Sequence, residues 1–225
     1  MTFLELCQRL VSESGTTGTG PTSVLNQVGE YARIVNWVHS AYEDVQNAYQ
    51  DWRFLTTDVE FPTVADTQAY TPTEAGYTDL AKWKTANYGD FRAYTAFGNE
   101  QYLDYLPWSV FRTAYLFGSS RTQTGKPIVY SVKPDNSIIF YPIPDAGYTI
   151  SGEYYKVPDV MTVNTSVPII PARFQLVIVW RALMLYGAFE AADEKYAHGQ
   201  NEYKKLFGKL KKDQGPTPSF GAPLA

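Results

Sequence analysis

The chain has 225 residues, of which 44% are hydrophobic and 19% are charged. These proportions are typical of a globular protein and exclude a wholly disordered or fibrous one. The formal net charge of −4 argues against a free nucleic-acid binder, because neutralising phosphates requires a basic face. Aromatic residues make up 16% of the chain, which fits either a surface buried against partners or a tyrosine-rich β core.

Neither a disulfide nor a membrane span is expected. Cys7 is the single cysteine, so the fold does not depend on an oxidising compartment. The first six residues lack the basic start and long apolar core of a secretory signal. Residues 174–189 are the most membrane-like stretch, but they are shorter than the ~20 apolar residues of a span and contain Arg181. A buried helix is the better interpretation.

Two amphipathic helices are predicted near the N-terminus. The first covers residues 2–13, with Thr2 as N-cap, Glu5 completing a capping box and Gly15 ending the helix. Residues 15–23 are a loop by composition. The second helix is expected over residues 26–51, with an apolar stripe formed by Tyr31, Ile34, Val35, Val38, Tyr42, Val45, Tyr49 and Trp52.

The middle of the chain reads as mainly antiparallel β-structure. Strand-like runs occur at residues 91–97, 128–132, 137–141 and 148–157. Turn residues at 134–136 and 144–147 predict that the last three runs form a meander. A short helix is expected over residues 107–117, begun by Pro107 and ended by Gly118.

The C-terminal part returns to helix, over residues 172–192 and 193–212, before a tail rich in proline and glycine. The predicted fold class is α+β: helices from both sequence ends form a bundle, with an inserted antiparallel β module and an extended C-terminal tail. The expected divisions are residues 1–53, 54–162, 163–212 and 213–225.

Assembled catalytic chemistry is not expected, and neither is a cofactor. The glycine-rich loop at residues 15–20 resembles a phosphate loop, but Pro21 stands where the lysine is required. With His39, His198 and Cys7 at unsuitable spacing, neither a structural zinc site nor a triad is indicated. Cys7 lies on an apolar stripe, which favours a core role. Glu190, Asp193 and Glu194 could pair as glycosidase carboxylates, although an N-cap and first-turn role is favoured.

The last helix carries a run of lysines near its end: Lys204, Lys205, Lys209, Lys211 and Lys212. Cations at this position complement the helix dipole and keep the end solvated. They could also form a basic surface that docks on an acidic partner and holds the tail beside it.

The order of several segments resembles that of head-to-tail adaptor proteins of tailed bacteriophages. In the first half these are residues 15–21 (GTTGTGP), 29–38 (GEYARIVNWV) and 52–55 (WRFL). In the second half they are residues 154–158 (YYKVP) and 170–174 (IPARF), followed by an apolar helix and a lysine-bearing helix.

This resemblance implies a non-enzymatic virion protein of the head–tail neck, assembled in the host cytoplasm. It implies a homo-oligomeric ring of about twelve copies beneath the portal, which extends the DNA channel and offers a platform for tail or nozzle proteins. Packaged DNA would pass through without sequence-specific binding, and no membrane is involved. The tail would reach the portal, with Phe220 and Leu224 as its apolar anchors beside the five lysines.

Two other functions stay open from the residues alone. One is a virion-associated peptidoglycan-cleaving enzyme that uses Glu190, Asp193 or Glu194. The other is a carbohydrate-binding β module, suggested by Tyr and Trp side chains expected to be exposed in the middle region.

Overall fold

A computed structural model describes residues 1–85 and 90–215. The chain forms two compact units. The helical unit combines Met1–Leu55 with the chain from Pro158 onward, and the β unit is Thr56–Val157. The predicted α+β class is therefore confirmed. The described helices are α1 Phe3–Ser14, α2 Gly29–Asn47, α3 Trp108–Tyr115, α4 Leu176–Phe189 and α5 Asp193–Gln214.

The helical unit is organised around α4. Seven of its residues are buried, and α1, α2 and α5 all pack against it. The stretch Ala172–Phe189 has a mean hydropathy of 1.2 and the length of a short membrane span, but half of it is buried inside the structure. Apolar composition on all sides is what a helix enclosed by other helices requires, so the interpretation of this stretch as a buried helix is supported.

The first helix follows the sequence prediction closely. The Glu5 N–H donates to the Thr2 hydroxyl at 3.3 Å and the Thr2 N–H donates to the Glu5 carboxylate at 2.9 Å, which completes the capping box. Gly15 ends α1 in the left-handed conformation, with φ of 81°. Glycine adopts this conformation without the steric cost that a side chain would add.

The second helix is shorter at both ends than the predicted span of residues 26–51. It begins at Gly29, because Asn26 and Gly29 have positive φ angles, and it ends at Asn47. The Gln46 carbonyl accepts a hydrogen bond from the Trp52 indole at 3.1 Å, so the chain has turned back by that residue. Trp52 is nevertheless fully buried in the helical core, as its place in the apolar stripe suggested.

The predicted helix over residues 172–192 is also divided. Ala172–Phe174 forms a short 3-10 turn, and α4 ends at Phe189. Ala191 has a φ of 52°, a conformation that a regular helix cannot include. The last helix begins at Asp193 as expected and runs to Gln214 rather than Lys212.

The segment that re-enters the helical unit is tied to α2 by a part-buried polar network, in which the Tyr42 and Gln46 side chains are buried and Asp159 is exposed. Gln46 donates to the Asp159 carbonyl at 2.9 Å and accepts from the Asp159 N–H at 2.7 Å. The Tyr42 hydroxyl donates to the Asp159 carboxylate at 2.8 Å and accepts from the Ile169 N–H at 2.9 Å. Burial is the main factor that raises the pKa of Tyr42. These bonds satisfy backbone groups that helix or sheet would otherwise pair.

The β unit contains eight described strands. Their order along the sheet is β1-β8-β4-β5-β6-β7-β2, and β3 also pairs with β8. All pairs are antiparallel except β5 with β6. The bounds are β1 Thr56–Pro62, β2 Ala69–Tyr70, β3 Leu80–Trp83, β4 Phe91–Tyr94, β5 Gln101–Tyr105, β6 Val129–Val132, β7 Ile138–Tyr141 and β8 Thr149–Lys156. Every strand supplies a side chain to one core, so the sheet curls around it.

The predicted three-strand meander is wrong at its second turn. The hairpin of β6 and β7 forms as expected, with Val132 opposite Ile138, but β8 pairs with β1, β3 and β4 instead of β7. Pro142 and Pro144 lack the N–H groups that a continued hairpin needs. The intervening backbone bonds elsewhere, as when Tyr148 accepts from the Thr63 N–H at 2.7 Å.

The short helix α3 covers the outer side of this hairpin. Pro107 is its N-cap, and the helix ends at Tyr115, within the predicted span. Ile138 and Phe140 of β7 point into the main β core, whereas Ile139 and Tyr141 pack with α3 residues in a second cluster. Strand β7 is therefore buried on both faces, which explains its run of four apolar residues.

The end strand β1 is closed to further pairing at Glu60. The Tyr77 hydroxyl accepts from the Glu60 N–H at 2.7 Å and donates to the Glu60 carbonyl at 3.0 Å. Asp58 and Glu60 are exposed along the same strand, and Pro62 has no N–H to offer. Charges, proline and a covered backbone are the usual protections of a sheet edge.

Two buried tyrosines of the β core differ in their hydrogen bonding. The Tyr154 hydroxyl donates to Asp79 at 2.8 Å, and Lys156 forms an ion pair with the same carboxylate at 2.9 Å. Within residues 1–85 and 90–215 the Tyr130 hydroxyl has no hydrogen-bond partner, although the residue is completely buried. Burial raises the pKa of both phenols.

Replacing Gln46 by leucine should destabilise the helical unit by about 2–4 kcal/mol, because both backbone polar groups of Asp159 lose their buried partner. Urea unfolding and hydrogen exchange of the α2 amides measure the loss. Gln101→Leu is the matched control, since Gln101 is exposed, and it should change the free energy of unfolding by less than about 0.5 kcal/mol. Equal stability of the two variants would contradict the structural role of Gln46.

Loss of the hydroxyl should lower the stability of the β unit at Tyr154 but not at Tyr130. Tyr154→Phe removes a bond to a carboxylate and should destabilise the β unit by about 1–3 kcal/mol. Tyr130→Phe removes a buried polar atom without a partner, so stability should stay the same or rise by about 1 kcal/mol. Hydrogen exchange of strands β6 and β8 reports on both, and a clear loss in Tyr130→Phe would show that its hydroxyl is satisfied.

Candidate interaction surfaces

The solvent face of α5 carries a dense basic surface. Lys204, Lys205, Lys209, Lys211 and Lys212 are all exposed, while Leu210 on the opposite side of the helix is fully buried. At 3.6 residues per turn, the five lysines spread over the face that turns away from the core. Two of them have partners on the unit itself: Lys205 pairs with Glu202 at 2.6 Å, and the Lys211 ammonium lies 5.0 Å from the Tyr49 ring centre.

A shallow groove of about 520 Å³ lies beside the end of α5. Phe174, which is buried, and Leu206, which is half-buried, supply its apolar residues. Its charged residues are Arg173, Lys209, Lys212 and Asp213. Three cations against one carboxylate make the groove basic, so an acidic segment with an apolar side chain is the partner that its chemistry fits.

The Arg173 side chain is held in place at this groove. Its guanidinium lies 4.7 Å from the Phe174 ring centre and forms an ion pair with Asp213. The hydrogen bond from Arg173, followed by one from Gln214, lowers the pKa of Asp213, and the nearby Arg53 contributes to the same shift. Arg53 and Arg173 are both exposed, so they extend the basic surface beyond the five lysines.

The β unit presents one strongly exposed aromatic residue. Phe97 is 91% exposed and lies in the turn that joins β4 to β5, where Gly98 has a φ of 91°. Its ring stacks on Tyr94, with 6.0 Å between the ring centres. The sequence prediction of a strand over residues 91–97 is thus wrong beyond Tyr94, since Phe97 belongs to the turn.

Hydrogen bonds fix the conformation of this turn. The Glu100 carboxylate accepts from the Gly98 N–H at 3.0 and 3.1 Å, and these backbone bonds lower its pKa. Lys126 donates to the Asn99 carbonyl at 2.8 Å and to its side-chain oxygen at 3.0 Å. An ordered turn with an exposed aromatic tip needs little further ordering to bind a partner.

The residues considered for catalysis are not assembled into a site. Glu190, Asp193 and Glu194 are exposed: Glu190 caps the end of α4, whereas Asp193 and Glu194 belong to the first turn of α5, whose N-cap is Ala192. Cys7 is completely buried in the helical core, and burial raises the pKa of its thiol to about 12. In the described ranges, no group of three or more His, Cys, Asp and Glu side chains could hold a metal ion.

The expected tryptophan surface of the β unit is also absent from its described part. Trp83 is buried and donates to the Asn136 carbonyl at 2.8 Å. Trp108 is half-buried against the cluster under α3. Tyr102 and Tyr105 are exposed, but the tryptophans that suggested a carbohydrate-binding face serve as packing residues.

A family model described as SU10 adaptor protein matches residues 1–224 of the chain. The chain belongs to this family. It is a family of phage head–tail adaptors, so the resemblance drawn from the order of the sequence segments is confirmed. Membership supports a structural adaptor role in a phage virion and implies association with portal and tail proteins. No curated protein sequence matches the chain significantly.

The structure describes only part of the predicted portal-contacting surface. The five lysines share the exposed face of α5, whereas Phe220 and Leu224 lie outside the described residues. Sequence reasoning missed Arg53, Arg173 and Leu206 as neighbours of the lysines. The motif at residues 170–174 contained the signal for Arg173, because an exposed arginine directly before a buried phenylalanine can lie across its ring. For Phe97, the following Gly98 and Asn99 are the turn signal.

Proposed function

We propose that this adaptor is a structural subunit that joins the portal of a phage head to the tail. About twelve copies form a closed ring in the virion neck, assembled in the host cytoplasm, and the ring extends the channel through which DNA passes without sequence-specific binding. The proposal rests on the family match over residues 1–224. The helical unit and the tail contact the portal, and the β unit contacts tail or nozzle proteins.

The basic surface of α5 supports the portal contact. The whole chain has a net charge of −4, yet Lys204, Lys205, Lys209, Lys211 and Lys212 share one exposed helix face, and Arg173 lies beside it. Local charge of one sign steers association and selects a partner of opposite sign. The portal surface that receives α5 is therefore acidic.

The tail extends this contact in the proposal. Helix α5 ends at Gln214, so the tail starts beside the basic surface. Its apolar residues Phe220 and Leu224 act as anchors in portal pockets, because large apolar side chains supply much of the binding energy at interfaces.

The ordered turn at Phe97 supports an interface on the β unit. Phe97 is the most exposed large apolar residue of the described chain, and its turn is already fixed by Glu100 and Lys126. In the proposal, this ring inserts into an apolar pocket of a tail or nozzle protein.

Reversing two charges on α5 should weaken binding to the portal of the same phage. The double variant Lys209→Glu, Lys212→Glu should lose at least about tenfold in affinity, and the remaining binding should depend less on salt. Biolayer interferometry on the immobilised portal, at two salt concentrations, measures both quantities.

The matched control is Lys82→Glu, Lys133→Glu, which makes the same charge change on the β unit. It should bind the portal as tightly as the unmodified chain. Equal losses in the two double variants would show a general charge effect, and no portal binding by the unmodified chain would refute the proposed function.

Removing residues 216–225 should abolish most portal binding without unfolding the protein. Helix α5 ends at Gln214, so the deletion keeps every described helix of the unit, and the melting temperature should change by no more than about 2 °C. Phe220→Ala together with Leu224→Ala should reproduce most of the loss. A melting temperature lowered by several degrees would show instead that the tail stabilises its own chain.

A further inference from the structure

We infer that the groove beside α5 binds a carboxylate of an acidic partner segment on Arg173, and that Asp213 occupies this position while the partner is absent. The inference rests on the proposed portal contact and specifies its chemistry. The partner segment carries an acidic residue next to an apolar one.

The composition of the groove defines this ligand. Phe174 and Leu206 offer an apolar surface, and Arg173, Lys209 and Lys212 surround it. An apolar side chain of the partner covers Phe174 and Leu206, while a carboxylate of the partner binds the cations. Arginine is well suited to bind the carboxylate, because its planar guanidinium presents several N–H donors in matching geometry.

Arg173 is prepared for such a ligand. Its ring contact with Phe174 at 4.7 Å restricts the side chain, although 64% of it is exposed to solvent. A restricted side chain loses little freedom on binding. The guanidinium therefore presents its donors at a fixed position on the groove.

Among the described residues, Asp213 is held at this position by two hydrogen-bond partners, the exposed Arg173 and the half-buried Gln214, and by the charge of the nearby Arg53. Its partners are Arg173 and the Gln214 amide, the latter at 2.8 Å. Asp213 also lies in the last turn of α5, where the helix dipole disfavours a negative charge and where Lys211 and Lys212 are the favourable residues. Its carboxylate contributes little to the helix, but it neutralises Arg173.

A partner carboxylate can replace Asp213 because it brings further contacts. Exposed ion pairs contribute little by themselves, whereas a pair covered by an apolar side chain is shielded from water and salt. Asp213 and the partner therefore compete for Arg173. This competition takes place two residues before Gly215, at the start of the tail.

The test compares two single variants of the full chain. Asp213→Asn removes the competing carboxylate and should tighten binding to the portal of the same phage by about three- to tenfold. Asp193→Asn makes the same charge change on α5, but Asp193 lies in the first turn of the helix, at the opposite end from the groove and the five lysines, so it should leave the affinity within about twofold. Arg173→Gln should weaken binding at least about tenfold.

A second probe separates this inference from the proposed function. The capped peptide acetyl-Glu-Leu-Glu-amide is titrated into each variant, and the shifts of the Arg173 side chain and the Leu206 methyl groups are followed by NMR. Asp213→Asn should bind the peptide more tightly than Asp193→Asn does. If the peptide binds in this way but the portal does not bind, the groove still binds acidic segments, but the portal is not its partner.

Three outcomes overturn the inference. Equal tightening in Asp213→Asn and Asp193→Asn indicates a general charge effect. Weaker portal binding in Asp213→Asn indicates that Asp213 contacts the partner or positions Arg173. Absence of peptide shifts at Arg173 and Leu206 in all variants shows that the groove does not bind acidic segments, even if the portal binds through the lysines.

Discussion

The helical unit depends on the double hydrogen bond between Gln46 and Asp159. This unit is interrupted in sequence by about one hundred residues of the β unit, whose two ends meet where Thr56 of β1 pairs with Tyr155 of β8. Gln46 binds the backbone of the returning chain on both of its polar groups, and Tyr42 adds the Asp159 side chain and Ile169. The Tyr42 and Gln46 side chains are buried, so loss of their partners would leave polar groups without hydrogen bonds in the core. Helix α4 packs on α1 and α2, and α5 packs on α4.

Local features of the fold could be predicted from the sequence, and long-range pairing could not. The capping box of Thr2 and Glu5 and the turn at Asn136 depend on neighbouring residues, and both have the predicted form. The partners of β8 lie about 60 to 100 residues earlier in the chain, where no turn motif indicates them. The predicted meander is wrong at this point. Pro142 and Pro144 permit a turn, but they cannot donate the N–H hydrogen bonds that would pair β8 with β7.

The same contrast between local and long-range features holds for predicting the candidate surfaces. The lysines of α5 were apparent because charge and helical period are both visible in the sequence. The contribution of Arg173 was not, since its ring contact with Phe174 and its ion pair with Asp213 arise when the 3-10 turn before α4 meets the end of α5. Residues 91–97 form one strand-like run in the sequence, and Phe97 is its last residue. Its exposure is a consequence of the turn at Gly98.

The Tyr77 hydroxyl binds the backbone of strand β1 at Glu60, and this affects how free copies of the chain can meet. Free copies of one chain present identical sheet edges to each other, and two such edges can join by backbone hydrogen bonds regardless of side-chain complementarity. At Glu60 both backbone groups are already occupied by Tyr77, and the neighbouring carboxylates repel a second copy of the same strand. Association through this edge is therefore suppressed in the unassembled pool, and side chains on other surfaces are left to decide which contacts form.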